Sequence, residues 1–221
     1  MPEIDFPRNL TPAEARELQE SLAWRVIAHG DVNMVRYIAG LDVSVRRDNQ
    51  ALAAAVVLSY PDLNVVEKVQ IEGRVTFPYV PGLLSFREIP LVLQVWQHLQ
   101  KKPDLILVDG QGIAHPRRFG LAAHLGLLLD IPTVGCAKSH LFGDYQMPSE
   151  RAGSFTYLSD PGDKTTIGAV LRTKNRVRPL FISTGHKIGL SSAIEWVLKC
   201  CQGYRLPEPT RLAHLASRGD L

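Results

Sequence analysis

Leu105-Ile106-Leu107-Val108-Asp109-Gly110-Gln111-Gly112 is the stretch on which the fold turns. Four consecutive apolar residues read as a short strand covered on both faces, the pattern of a central strand in a parallel arrangement. An acidic residue and a glycine loop end it. Upstream, the periodicity predicts a helix from about Phe86 to Leu99, closed by Lys101-Lys102-Pro103-Asp104. Downstream, residues 121–130 read as a helix and Thr133–Ala137 as a second short strand. The interval from Gly110 to Ile131 suffices for a right-handed parallel crossover.

Further upstream the pattern changes. In residues 35–46, Val35, Tyr37, Ala39, Leu41, Val43 and Val45 share one face, and Arg36, Ile38, Gly40, Asp42, Ser44 and Arg46 the other. Asp48-Asn49-Gln50 reads as a hairpin turn into an apolar strand, Ala51 to Tyr60, and Pro61-Asp62 turns into a third strand over 65–75. Thr11-Pro12-Ala13-Glu14 opens an N-terminal helix with a capping box, running to about Ile27. Residues 166–172 and 179–183 read as strands. Ser192–Glu195 reads as the start of a capped helix ending near Gly203, followed by a rigid connector, Tyr204–Thr210, and a short helix. Three antiparallel strands followed by α/β units predict a single α/β domain over 1–221, a mixed sheet flanked by helices. Residues 1–30 form an arm and 204–221 a tail packed on the domain.

The 221 residues are 45% hydrophobic and 21% charged, which excludes a disordered chain, a coiled coil or a fibre. No apolar run is long enough to span a bilayer, and Met1–Asp5 lacks the features of a secretory signal. Three cysteines without CxxC spacing argue against a disulfide frame or a zinc site, so a cytoplasmic location without membrane attachment is expected. The net charge of +3 is uneven: residues 1–100 carry 9 basic and 12 acidic side chains, and 101–221 carry 16 and 10. A basic second half suits a polyanion partner, although solvated surface charge gives the same balance.

Three carboxylates stand out. Asp42 interrupts a strand, where Asp is depleted; it is either an exposed edge residue or a buried carboxylate that needs a cation. Asp109 lies at the carboxyl end of the central strand, where ligand chemistry collects in α/β sheets, or it is a turn residue bonding its own backbone. Glu88 closes a Ser85-x-x-Glu88 capping box or joins the other two acids. Convergence of the three would suit Mg²⁺, a hard ion that takes oxygen ligands.

Lys138 ends the strand after Asp109 and would point to the same rim, able to hold a phosphate. Arg172, Lys174, Arg176 and Arg178 read as a backbone-gripping hairpin or as a solvated loop, with Arg117, Arg118 and Lys187 extending the basic surface. His115, His186 and His214 each follow a loop or sit on a helix, without metal-binding spacing. Phe77-Pro78-Tyr79-Val80-Pro81-Gly82 is a stiff loop holding a Tyr, suited to wedge into a base stack or to cap the core.

These motifs resemble the endonuclease V family, the deoxyinosine 3′ endonucleases, over nearly the whole chain. The resemblance rests on residues 39–44, 77–88, 108–117, 132–138 and 204–211, with Val80 where the family usually has Ile. It implies a ribonuclease H-like fold and hydrolysis of the second phosphodiester bond 3′ to a deaminated purine. The reaction would depend on Mg²⁺, with Mn²⁺ as an alternative. By the same resemblance Asp42, Asp109 and Glu88 are metal ligands, and Lys138 and His214 complete the catalytic set. Pro78, Tyr79, Val80, Pro81, Gly82 and Leu84 form the wedge and lesion-recognition segment, joined by Gly110, Gln111, Gly112 and His115. The expected partner is double-stranded DNA with deaminated bases, and single-stranded nucleic acid as well, bound by a monomer. The lesion stays in the nicked strand, so other DNA-repair factors must follow. An inosine-specific endoribonuclease or a branched-DNA nuclease on the same fold is the alternative; a non-enzymatic binder ranks last because all three carboxylates are present.

Overall fold

A computed structural model describes residues 6–7 and 9–221. The reading of Met1–Asp5 therefore lies outside the described residues. Among the described residues nine strands form one mixed sheet, in the order β3-β2-β1-β4-β5-β9-β8-β7-β6. Strands β1 (Tyr37–Val45), β2 (Gln50–Ser59) and β3 (Val65–Arg74) are an antiparallel meander, as their short connections require. Strand β4 (Leu105–Val108) lies parallel to β5 (Thr133–Ala137), so the crossover expected from the spacing is present, and its other neighbour is β1, also parallel. Strands β8 (Thr166–Leu171) and β9 (Leu180–His186) complete the antiparallel half.

Helices α2 (Leu84–His98) and α3 (Leu121–Leu129) cover one face through Ala39, Leu41, Val43, Ile106 and Val108. On the other face, α4 (Leu190–Lys199) packs on Leu105, Leu107, Val134 and Ile182. Beside it α5 (Glu208–Arg218) packs on Ala54, Val56 and Leu58. The alternation along β1 thus sends successive side chains to different helices. All four residues of β4 are buried, as a strand covered twice must be.

Several boundaries differ from the sequence reading. Helix α1 (Pro12–Ala23) has its capping box but stops four residues before Ile27. Ser192 does not cap α4, which begins at Leu190 behind Gly189 and ends at Lys199; Ser192 is buried inside it. Strands β6 (Asp144–Tyr145) and β7 (Phe155–Ser159) carry little apolar alternation and were not anticipated. Arg172 does not grip a ligand. It is buried, and its guanidinium donates to the carbonyls of Pro148, Ser149 and Val177, tying two loops together.

Candidate metal centre and adjoining cleft

Gly40 explains how β1 comes against α5. A Cβ there would lie 1.8 Å from the carbonyl oxygen of Pro209, so only glycine lets α5 rest on the strand. From Gly40 the strand advances about 7 Å to Asp42. From Pro209 the helix advances about 7 Å to His214. The matched rise brings Nδ1 of His214 to 3.2 Å from Oδ2 of Asp42. Ser217, one turn further along α5, donates its hydroxyl to the same oxygen at 2.5 Å.

Asp109 extends past the end of β4, beside Asp42 at the end of the neighbouring parallel pair. Asp42, Asp109 and His214 offer ligand atoms that all lie within 4.8 Å of one another. Lys138, leaving the end of β5, forms a hydrogen-bonded ion pair with Asp109. Glu88, on α2, stands outside that set of ligand atoms but near enough to be repelled by Asp42 and Asp109. The expected Ser85–Glu88 capping box is absent: α2 starts at Leu84 without a side-chain cap, and Ser85 Oγ lies 3.1 Å from His124 Nδ1. Glu88 is therefore free to face Asp42 and Asp109, and all three carboxylates line one void of about 10 Å³, walled otherwise by apolar side chains such as Leu41, Val92 and Val108. That is room for about one water molecule or a small ion.

The electrostatics of these acids favour a cation between them. Burial first, then repulsion by Asp42 and Asp109, pushes Glu88 up from 4.5 to about 8. Burial also raises Asp109, against the pull of Lys138. Clustered carboxylates with one held protonated are costly unless a cation joins them. Oxygen donors of this kind suit a hard divalent cation, so the residues fit a metal site.

A cleft of about 470 Å³ opens beside the acids, bounded by Tyr79, Val80, Pro81, Gly82 and Leu84 on one side and Gly110, Gln111, His115 and Lys138 on the other. Tyr79 is 73% exposed at its rim. The loop beneath it is pinned at Gly82, whose carbonyl accepts from Gln19 Nε2 (3.0 Å), His115 Nε2 (2.9 Å) and Arg117 Nη2 (3.1 Å). His115 Nδ1 accepts from the Arg117 amide, so Nε2 carries the proton; burial holds this histidine neutral, down to about 4. Gln111 donates to the Ser139 carbonyl, while among the described residues its buried Oε1 has no partner. Two of the residues expected here do not line the cleft. Gly112 packs against β9, where a Cβ would meet the Thr184 carbonyl at 2.0 Å, and Pro78 lies outside the wall.

A model of the family described as Endonuclease V matches residues 20–215. The chain belongs to the endonuclease V family. Endonuclease V of Gloeobacter violaceus is 53% identical over 211 residues, covering 93% of this chain and 85% of the relative. The crystal structure of endonuclease V from Streptomyces avermitilis is 42% identical with a TM-score of 0.89, covering 96% of this chain and 93% of that one. Endonuclease V (D234N) of Ciona intestinalis, solved in complex with a 23mer DNA containing an inosine followed by a ribo-adenosine, is 29% identical with a TM-score of 0.86. It covers 96% of this chain and 98% of that chain. The chain is thus a nuclease, and its ribonuclease H-like α/β sheet agrees with the topology described above.

Three residues of this site escaped the sequence reading. Gln19 is 1% exposed and also donates to the Phe119 carbonyl at 2.9 Å, joining α1 to the cleft. A buried amide on an otherwise polar helix is a signal visible only when burial is known. Ser217 stands three residues after His214, and that helical spacing was the available clue. Arg205 donates to the carbonyls of Lys138, Arg178 and Pro179, fixing the loop that carries Lys138. Nothing local announces that role. Among the described residues no helix is long and apolar enough to cross a membrane.

Proposed function

We propose that this protein cuts nucleic acid carrying a deaminated purine, hydrolysing the second phosphodiester bond 3′ to the lesion with Mg²⁺ as cofactor. The reading is carried by one juxtaposition: three carboxylates around a void of about 10 Å³, next to a 470 Å³ cleft with an exposed Tyr79 at its lip. Asp42, Glu88 and Asp109 would hold the metal. When bound, it lowers the pKa of a coordinated water and offsets charge on the leaving oxygen. Lys138 supplies a positive point for a phosphate oxygen. His214 turns Nδ1 toward Asp42, leaving Nε2 to hold or pass a proton at the scissile link.

Tyr79, stiffened by Pro78 and Pro81 and pinned through Gly82, acts as the wedge, and the cleft takes the extruded base. Extrusion is cheapest for a weakly paired base such as inosine. Leaving the lesion in the nicked strand places the protein early in DNA repair, in the cytoplasm. Residues 9–30 serve as an arm that braces the wedge through Gln19, and 204–221 as the tail that brings His214.

A labelled duplex with one deoxyinosine, incubated with and without Mg²⁺, tests this directly. A single nick at the second bond 3′ to inosine, dependent on metal, is expected. Equal cutting of an undamaged duplex would refute it. A matched strand with inosine in RNA tests the alternative substrate, since the 2′-OH is what separates the two.

A further inference from the structure

The rim that carries the acids continues along the sheet. Strands β4 and β5 end there; β9, antiparallel to β5, begins there; β8 ends and β7 begins there. Four strand spacings separate β4 from β7, about 19 Å at ~4.8 Å each. A line of contacts follows this rim. Lys138 pairs with Asp109. Arg205 bridges the carbonyls of Lys138 (2.7 Å) and Arg178 (2.8 Å). The β8–β9 hairpin then leads back to Arg172, whose amide donates to the Ser154 carbonyl at 2.9 Å.

At the far end, Phe155 and Tyr157 stand on one face of β7, 42% and 59% exposed, edge to face with ring centroids 5.6 Å apart. Strand β6 pairs with β7 only at Leu158 and Ser159; beside the two rings the chain meets β7 through side chains alone, Thr156 Oγ1 donating to the Gln146 carbonyl and Ser149 Oγ lying 2.7 Å from Ser154 Oγ, and the rings themselves stay exposed. An apolar edge of this kind is normally blunted or masked. Here the adjoining loops bring cations instead: Arg151, Lys174, Arg176 and Arg178. Arg176 is 3.8 Å from Glu150, and among the described residues no carboxylate pairs with the other three. A symmetric contact between two copies would set these like charges against each other.

We propose that this rim is a second nucleic-acid subsite, where unpaired nucleotides flanking the cleavage point stack on Phe155 and Tyr157 while Lys174 and Arg178 neutralise their phosphates. Exposed rings beside free cations are the pairing that single-stranded nucleic acid uses. The subsite lies about six nucleotides from the metal centre at the ~3.4 Å rise of a stacked strand, fewer for an extended one. The inference rests on the nuclease reading above and adds a dependence on flank length.

The test is binding in chelator, where no strand is cut, to inosine duplexes with single-stranded flanks of about three or about ten nucleotides, and to an undamaged ten-nucleotide strand. Phe155→Ala/Tyr157→Ala should lose on the order of tenfold in affinity for the long flank and for the bare strand, with the short-flank duplex bound as by the parent. Phe155→Tyr/Tyr157→Phe should keep the long-flank preference. Lys174→Ala/Arg178→Ala should reduce the slope of log affinity against log salt by about 1.4 on the long flank. Long-flank affinity equal in parent and alanine pair, equal losses on short and long flanks, or a parental dimer that the alanine pair abolishes would each overturn the proposal. A parent that senses flank length without preferring inosine would sink the lesion reading and leave this surface standing.

Discussion

Replacing Glu88 by Gln should stabilise the metal-free protein at alkaline pH, and the size can be worked from the site. Burial, followed by repulsion from Asp42 and Asp109, lifts this carboxyl from 4.5 to about 8. A group whose folded pKa is raised contributes stability that is complete below its unfolded pKa and is lost as pH rises to the folded one. The window is therefore about pH 4.5 to 8. At ~1.4 kcal/mol for each tenfold change in proton affinity, the ceiling is roughly 5 kcal/mol. Water reaching a half-buried side chain, and relaxation of the three-acid cluster, reduce this to about 2 kcal/mol.

For a domain of this size, ~2 kcal/mol is about 4–8 °C in Tm. Thermal unfolding in chelator should show the parent falling by that much more than Glu88→Gln between pH 5 and pH 8. Millimolar Mg²⁺ should return the loss to the parent at pH 8 and do less for the variant, because a cation that binds the ionised site stabilises by mass action. Parallel pH profiles for the two proteins in chelator would show that Glu88 is not strained by its neighbours, and the account of the metal centre would fail.

The other predictions concern the same architecture. Asp109→Ala should abolish cutting while binding in chelator falls less than about threefold, since the acids hold metal and the basic rim holds the strand; nicking at the parental rate in Mg²⁺ would refute the assignment. Tyr79→Ala should lower the preference for inosine over undamaged duplex about tenfold and leave the salt slope unchanged, measured by competition binding; an undiminished preference would remove Tyr79 from the wedge role. Gly40→Ala forces a Cβ against the Pro209 carbonyl, so α5 must lift. A stability loss of about 1–3 kcal/mol is expected, together with a fall in kcat at temperatures where the variant is still folded. A lowered Tm with parental kcat would show that the α5 position does not govern the reaction.

The contrast between what local sequence carries and what it cannot is clearest at the acids. The four apolar residues before Asp109 announced a doubly covered strand, and the spacing to Thr133 announced its parallel neighbour; both depend on contacts a few residues apart, which side-chain periodicity encodes. The period-two pattern of β1 put Asp42 on the face away from Leu41 and Val43, where α5 covers it. Strands β6 and β7 were illegible because an edge that faces water imposes no apolar rhythm.

The Ser85–Glu88 spacing, taken alone, favoured a helix cap over a ligand. Only the packed structure settled that Ser85 turns toward His124 while Glu88 faces two aspartates, because a local motif has no access to charges more than twenty residues away. Gly40 makes the same point from the other side: its glycine is demanded by Pro209, about 170 residues later in the chain, through a close approach that no short-range rule describes. Sequence by itself determined most of the elements, the faces of the inner strands and the resemblance to the family. Tertiary structure decided which distant groups share one void, since burial and charge repulsion arise only when the chain has closed around them.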